Sequence, residues 1–192
     1  LSPFLAETAG EVHSAVQAGQ RVLFEGAQGA MLDLCFGTYP YVTSSHTTAG
    51  GIAVGAGVAP CAIGPILGVV KAYTTRVGSG PFPTELHDDI GRHLATKGHE
   101  FGATTGRPRR CGWLDLVALR YSHARCGYSS LALTKLDVLS GLEQVGLCVG
   151  YRHSGGKITT DYPRDPATLD AVEPIIEYHP GWDNDLTDCT EM

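Results

Sequence analysis

The chain has 192 residues, enough for one domain or a large piece of one. With 43% of residues in the hydrophobic set and 18% charged, the composition is globular, neither disordered nor membrane-spanning. A formal charge of −6 argues against a nucleic-acid backbone or an anionic membrane surface as the main partner.

Leu5, Ala9, Val12 and Val16 share one face of an amphipathic helix, and Gly19 is placed to stop it. Arg21 to Phe24 reads as a short buried strand, followed at once by the turn Glu25-Gly-Ala-Gln-Gly29. Thr38 to Gly57 is rich in Gly, Ala and hydroxyl residues without a period, a functional loop leading into a packed segment. Ile66 to Val77 predicts a strand, broken by Gly78-Ser-Gly-Pro-Phe-Pro83. Leu86, Ile90 and Leu94 mark a helix closed near Gly98, and Gly102 to Gly112 is loop-like. Leu114, Val117, Ala118 and Tyr121 make another helical face. Leu131 to Thr134 is a short strand. Val145, Leu147, Val149 and Tyr151 alternate before a hairpin turn at Ser154-Gly-Gly-Lys157. Alternating strands and helices favour a mixed α/β fold.

Glycine, at 25 of 192 residues, is about 13% against a usual ~7%, so tight turns and close backbone approaches are expected. The six cysteines have no C-x-x-C pair and read as reduced thiols packed like small apolar residues. No stretch approaches the ~18 apolar residues of a membrane helix, and the start carries no signal-like segment.

Three motifs could carry chemistry. Thr134-Lys-Leu-Asp137 lies where a strand ends, the usual place for a nucleotide-reading residue in an α/β sheet. A carboxylate there can accept from guanine's N1–H and 2-amino group together; the bland alternative is a surface Lys–Asp pair. Arg107-Pro-Arg-Arg110 gathers 3 of the 14 Lys and Arg just after Gly102-Ala-Thr-Thr-Gly106. That is either an anion clamp built on guanidinium forks or a solvated basic turn. Gly26-Ala-Gln-Gly29, with hydroxyls at Thr43, Ser44, Ser45, Thr47 and Thr48, suits phosphate binding or ordinary turn chemistry. H-E-x-x-H, G-x-S-x-G and G-x-x-x-x-G-K-[ST] are all absent from the sequence.

In order along the chain, several long stretches resemble the adenylosuccinate synthetase family. They are Phe24-Glu-Gly-Ala-Gln-Gly29, Gly37-Thr-Tyr-Pro-Tyr-Val-Thr-Ser-Ser45 and Thr47-Thr-Ala-Gly-Gly51, then Lys71-Ala-Tyr-Thr-Thr-Arg-Val-Gly78 and Gly80-Pro-Phe-Pro-Thr-Glu-Leu86. Glu100-Phe-Gly-Ala-Thr-Thr-Gly-Arg107, Gly112-Trp-Leu-Asp115 and Leu133-Thr-Lys-Leu-Asp-Val-Leu139 complete the set. The resemblance runs from about Val22 to Trp182 and is weakest after Arg152.

The resemblance implies a ligase joining IMP and L-aspartate with GTP as co-substrate and Mg²⁺ present. It implies part of a P-loop-NTPase-like mixed, mainly parallel sheet with flanking helices and a hairpin extension, residues 1–192 forming one partial domain. Gln28, Thr43, Val77 and Arg107 are implied for IMP. Ala103, Thr104, Thr105, Gly106, Arg107 and Arg109 are implied for aspartate, and Arg109, Lys135, Leu136 and Asp137 for GTP. The family's Gly-Asp-Glu-Gly-Lys-Gly-Lys loop, with the catalytic Asp, and its catalytic His do not occur here. The catalytic groups and metal ligands are therefore expected upstream, and this chain alone is expected to be inactive. A homodimer is implied, as is a cytoplasmic location, or a plastid one given an upstream transit peptide. Pro108 and His46 depart from the usual pattern, His46 standing where Asn is common. A non-catalytic nucleotide-binding or partner chain and an unrelated GTPase are the competing readings.

Overall fold

The chain divides into two units, residues 1–66 with 122–129 and residues 67–121 with 130–192. The computed structural model describes residues 2–102, 106–186 and 189.

In the first unit α1 spans Thr8–Gln17, with the Glu7 carboxylate accepting from the Gly10 amide at 2.7 Å as its cap. The helix therefore starts three residues after Leu5, and the chain leaves it through Gly19 at φ 70°. Residues 21–27 form no strand, contrary to expectation: Leu23 is exposed and none of the described residues pairs with this run. An apolar run can be extended without being a strand, because a strand needs a ladder partner. The glycine-rich stretch expected as loop contains α2, Gly50–Ala56, opened by the Thr48 and Ala49 carbonyls, which accept from Gly51 and Ile52. Here tertiary context overrides poor intrinsic helix propensity.

The second unit holds two sheets. β1 (Leu67–Lys71) and β4 (Ser130–Thr134) pair in parallel from Leu67↔Ser130 to Lys71↔Thr134. β2 (Tyr73–Arg76) runs antiparallel to β3 (Arg110–Asp115), which in turn lies parallel to β5 (Gln144–Arg152). β5 also pairs antiparallel with β6 (Ile158–Thr159) and β7 (Glu173–Pro180). The single strand expected over 66–77 is thus two. Ala72 divides them: its amide still donates to the Thr134 carbonyl, and the next residue already belongs to the other sheet. The β5–β6 pairing and the 153–157 turn are the hairpin the sequence predicts. The fold class is mixed α/β, as expected.

Capping sets the helices. Asp88 accepts from Gly91 N to open α3 (Asp89–Lys97), and Asp165 accepts from Thr168 to open α6 (Pro166–Asp170). Asp115, ending β3, accepts from Val117 and Ala118 to open α4 (Leu116–Cys126), so Leu114 falls in the strand rather than on the helix. α5 (Leu136–Leu139) is one short turn. The main core packs Tyr73, Leu94, Trp113, Val138, Leu139 and Val145; a second cluster packs Val117, Cys148, Tyr151, Leu169 and Val172. Gly146 lies so close under Trp113 that an added Cβ would come within 2.8 Å of the indole. Cys111, Cys126 and Cys148 are buried, but Cys35, Cys61 and Cys189 are exposed, so only half the thiols pack as small apolar residues. Burial pushes the Cys111 thiol up to about 11.

Candidate functional site

At the end of β4 the chain turns sharply. Lys135 adopts the left-handed conformation, φ 64°, and α5 begins at the next residue. Val138 and Leu139 are fully buried, which anchors α5 in the core. Leu136 packs against the same cluster, while Asp137 in the same turn is exposed. The Lys135 ammonium donates to the Gly98 carbonyl at 2.9 Å. A fixed turn with an outward carboxylate is what the Thr-Lys-Leu-Asp motif needs to read a base edge.

The arginine loop has a closed stem. Gly102 N donates to Arg107 O at 2.8 Å, Arg109 N to Glu100 O at 2.9 Å, and Phe101 bridges Pro108. Ala103, Thr104 and Thr105 lie outside the described residues. Gly106 and Arg107 are exposed. The three arginines separate by role. Arg110 pairs with Glu85 and donates to the Gly78 and Gly80 carbonyls at 3.2 and 2.8 Å, with its guanidinium over the Phe82 ring. It is structural, and its hydrogen bond holds the Glu85 carboxyl below the usual range. Arg107 is exposed on the loop, and Arg109 donates through Nη1 to Glu100 at 2.7 Å.

Glu100 stands out in the sequence only as part of a family stretch, and its role as an acceptor is visible only in the fold. Its side chain is 1% exposed, yet its carboxylate accepts from Lys71 Nζ at 2.8 Å to both oxygens, from Tyr73 OH at 2.5 Å and from Arg109. Burial pushes its carboxyl up, but these donors outweigh burial and hold it below the ordinary value. The same burial and the neighbouring carboxylate push the Tyr73 phenol far up. Lys71 also donates to Thr75 Oγ1 at 3.0 Å. Val77, just past β2, is about half exposed.

In the first unit Gln28 is exposed at φ 60°, beside Gly29, whose carbonyl accepts from Thr47 Oγ1 at 2.8 Å. Thr43 is half-buried, its amide donating to Leu32 O at 2.8 Å. The residue that organises this loop is Asp33, which the sequence reading missed. Its fully buried carboxylate accepts from the amides of Cys35, Phe36, Thr47 and Thr48 and from the Thr48 hydroxyl, at 2.7–3.1 Å. Burial pushes the carboxyl up; the Thr48, Cys35 and Phe36 donors overcome it and bring it down to about 2. A hydroxyl-rich loop with an acid at its base was the available signal, but the donors are mostly backbone amides, which no side-chain motif records.

Asp33, Cys35 and His46 bring three metal-type donor atoms within 4.8 Å of one another. The set does not suit Mg²⁺, which takes oxygen ligands, and both Asp33 oxygens are already occupied by N–H and O–H donors.

A family model described as adenylosuccinate synthetase matches residues 1–192. The adenylosuccinate synthetase of Chromohalobacter salexigens is 58% identical over 182 residues, 95% of this chain and 42% of that protein. That of Carboxydothermus hydrogenoformans is 53% identical over 192 residues, 100% of this chain and 45% of that protein. The fully ligated adenylosuccinate synthetase from Plasmodium falciparum superposes with a TM-score of 0.94 at 45% identity, covering 96% of this chain and 44% of that one. A cyanophage S-2L succinoaminodeoxyadenylate synthetase shares the fold at a TM-score of 0.58 and 20% identity, covering 68% of this chain and 40% of that one. The chain spans less than half the length of the curated relatives it matches.

Proposed function

The chain belongs to the adenylosuccinate synthetase family, and from this we propose that the protein carrying it joins IMP to L-aspartate at the expense of GTP. The products are adenylosuccinate, GDP and phosphate. The observation that carries the reading is the outward Asp137 carboxylate on a turn fixed by Lys135 and the buried Val138 and Leu139. Guanine offers N1–H and its 2-amino group as adjacent donors, so one carboxylate can satisfy both; adenine offers no such pair.

In this reading Lys135, Leu136 and Asp137 take the guanine of GTP. Gly106, Arg107 and Arg109, with Ala103, Thr104 and Thr105, take aspartate, whose carboxylates match guanidinium forks. Arg109 also serves the GTP side. Gln28 and Thr43 serve IMP, and Val77 and Arg107 contribute to nucleotide contact. The chemistry has two steps. The γ-phosphoryl of GTP passes to the 6-oxygen of IMP as its bond to GDP breaks and IMP N1 gives up its proton to a base outside the residues named here, turning a poor leaving group into a good one. The aspartate amine then attacks C6, the C–O bond breaks as phosphate leaves with its electron pair, and the nitrogen releases a proton to solvent. The residues named here position and neutralise rather than transfer protons, and the catalytic groups are assigned to none of them. Mg²⁺ enters with GTP, a homodimer is the proposed assembly, and the cytoplasm the proposed location. No helix among the described residues is long and apolar enough to cross a membrane.

The test is an assay of the intact protein for adenylosuccinate and GDP with IMP, aspartate and GTP together, and with each omitted in turn. Product formation that requires all three supports the ligase. GTP hydrolysis at the same rate without IMP and aspartate would instead identify a GTPase, and absence of turnover a binding protein.

A further inference from the structure

We propose that Glu100 is a positioning residue for the amino-acid substrate, its buried carboxylate aiming the Arg109 guanidinium and fixing the stem of the 100–109 loop. This rests on the reading of that loop as the aspartate site.

A carboxylate is costly to bury and is retained only where donors satisfy it. Glu100 has donors from three side chains: Lys71 at the end of β1 and Tyr73 at the start of β2, 29 and 27 residues away, and Arg109 on the loop itself. Lys71 and Tyr73 sit on strands, so the carboxylate is held by the rigid part of the unit. Arg109 is then held by the carboxylate. An exposed arginine would sample many rotamers, and freezing them on binding weakens affinity. Here Nη1 is fixed before any ligand arrives, so the plane of the guanidinium is set in advance. The main chain does the same work. Arg109 N donates to Glu100 O, so one residue grips both the backbone and the side chain of the clamp. The neighbouring Gly98–Glu100 turn is itself tied down: the His99 amide donates to Thr96 O, the Glu100 amide to Ala95 O, and Gly98 O accepts from Lys135.

Glu100→Gln keeps the volume but removes the charge and puts an amide NH₂ where only donors face it. In the intact enzyme this raises the aspartate KM by about tenfold or more, the loss of one charge-assisted hydrogen bond, while the IMP KM, which Arg109 does not serve, changes by less than about threefold. The Gly106 and Arg109 amides exchange faster with solvent. In the double variant with Arg109→Gln the aspartate KM rises no further than in Arg109→Gln alone, because Glu100 acts through Arg109. Tyr73→Phe removes one donor but leaves Arg109 held, so it lowers Tm with little change in the aspartate KM.

Additive effects in the double variant, or equal weakening of every substrate in step with a fall in Tm, would overturn the proposal. If Arg109→Gln by itself leaves the aspartate KM unchanged, the aspartate reading of the loop fails instead. Faster exchange at Gly106 and Arg109 in Glu100→Gln would then still uphold the loop-fixing role, and unchanged exchange would overturn it.

Discussion

The Lys135 ammonium lies 2.9 Å from the carbonyl oxygen of Gly98, which ties the turn after β4 to the C-terminal end of α3. Gly98 is not there for left-handed backbone, since its φ is −74°. It is there for space: a Cβ would run into the Tyr73 hydroxyl and the Leu94 carbonyl. Gly98→Ala in the intact enzyme is expected to cost about 1–3 kcal/mol through overpacking. It is also expected to raise the GTP KM, as Lys135 loses its anchor. Thermal unfolding and steady-state kinetics read the two effects, and an unchanged Tm would mean that both Tyr73 and the end of α3 shift without cost.

Asp137→Asn keeps the shape of the side chain but replaces one of its two acceptors with a donor. The GTP KM is expected to rise by about tenfold to a hundredfold, the loss of one or two charge-assisted hydrogen bonds, with a much smaller change for IMP. Equal loss for both substrates would remove Asp137 from the guanine site.

Arg107 and Arg110 are three residues apart and should fail differently. Arg107→Leu is expected to raise the aspartate KM most, with little loss of Tm, because its side chain is exposed on the loop. Arg110→Leu strands the partly buried Glu85 carboxylate and two carbonyls, so Tm falls first, by an amount equivalent to roughly 2–4 kcal/mol. A Tm series beside aspartate kinetics distinguishes them, and the reverse pattern would exchange their roles.

Much of this was legible in the sequence because the signals are local. Strand ends and the Ser154–Lys157 turn depend on neighbouring residues, and β4 ends at the Lys135–Asp137 junction as its sequence predicts. What could not be read depends on distant partners. The apolar run at residues 21–24 has strand character but no ladder partner among the described residues. The 66–77 run divides at Ala72 because two sheets compete for its ends. Arg110 looks like its neighbours until Glu85, 25 residues earlier, claims it. Asp33 and Glu100 have partners 14 to 29 residues away, several of them backbone amides that leave no mark on composition.

Asp33 gives a prediction with a definite sign in pH. Its ordinary value is 3.8 and folding depresses it to about 2. A carboxyl depressed by folding contributes stability that is complete above the unfolded value and is lost as pH falls through the folded one. The amides of Thr47 and Thr48 should therefore stay protected from exchange down to about pH 4 and lose protection between about pH 4 and pH 2. Asp33→Asn should open the loop at neutral pH, with a loss of roughly 2 kcal/mol. Protection at Thr47 and Thr48 unchanged in that variant would mean that the loop is held by other contacts.

A single carboxylate thus cross-links positions 15 residues apart, much as a covalent staple would. The hydroxyls of Thr43, Ser44 and Ser45 sit inside the ring it closes. On the proposed reading of Thr43 as an IMP contact, less disorder is left to be surrendered on binding there, so more of the contact energy is retained as affinity.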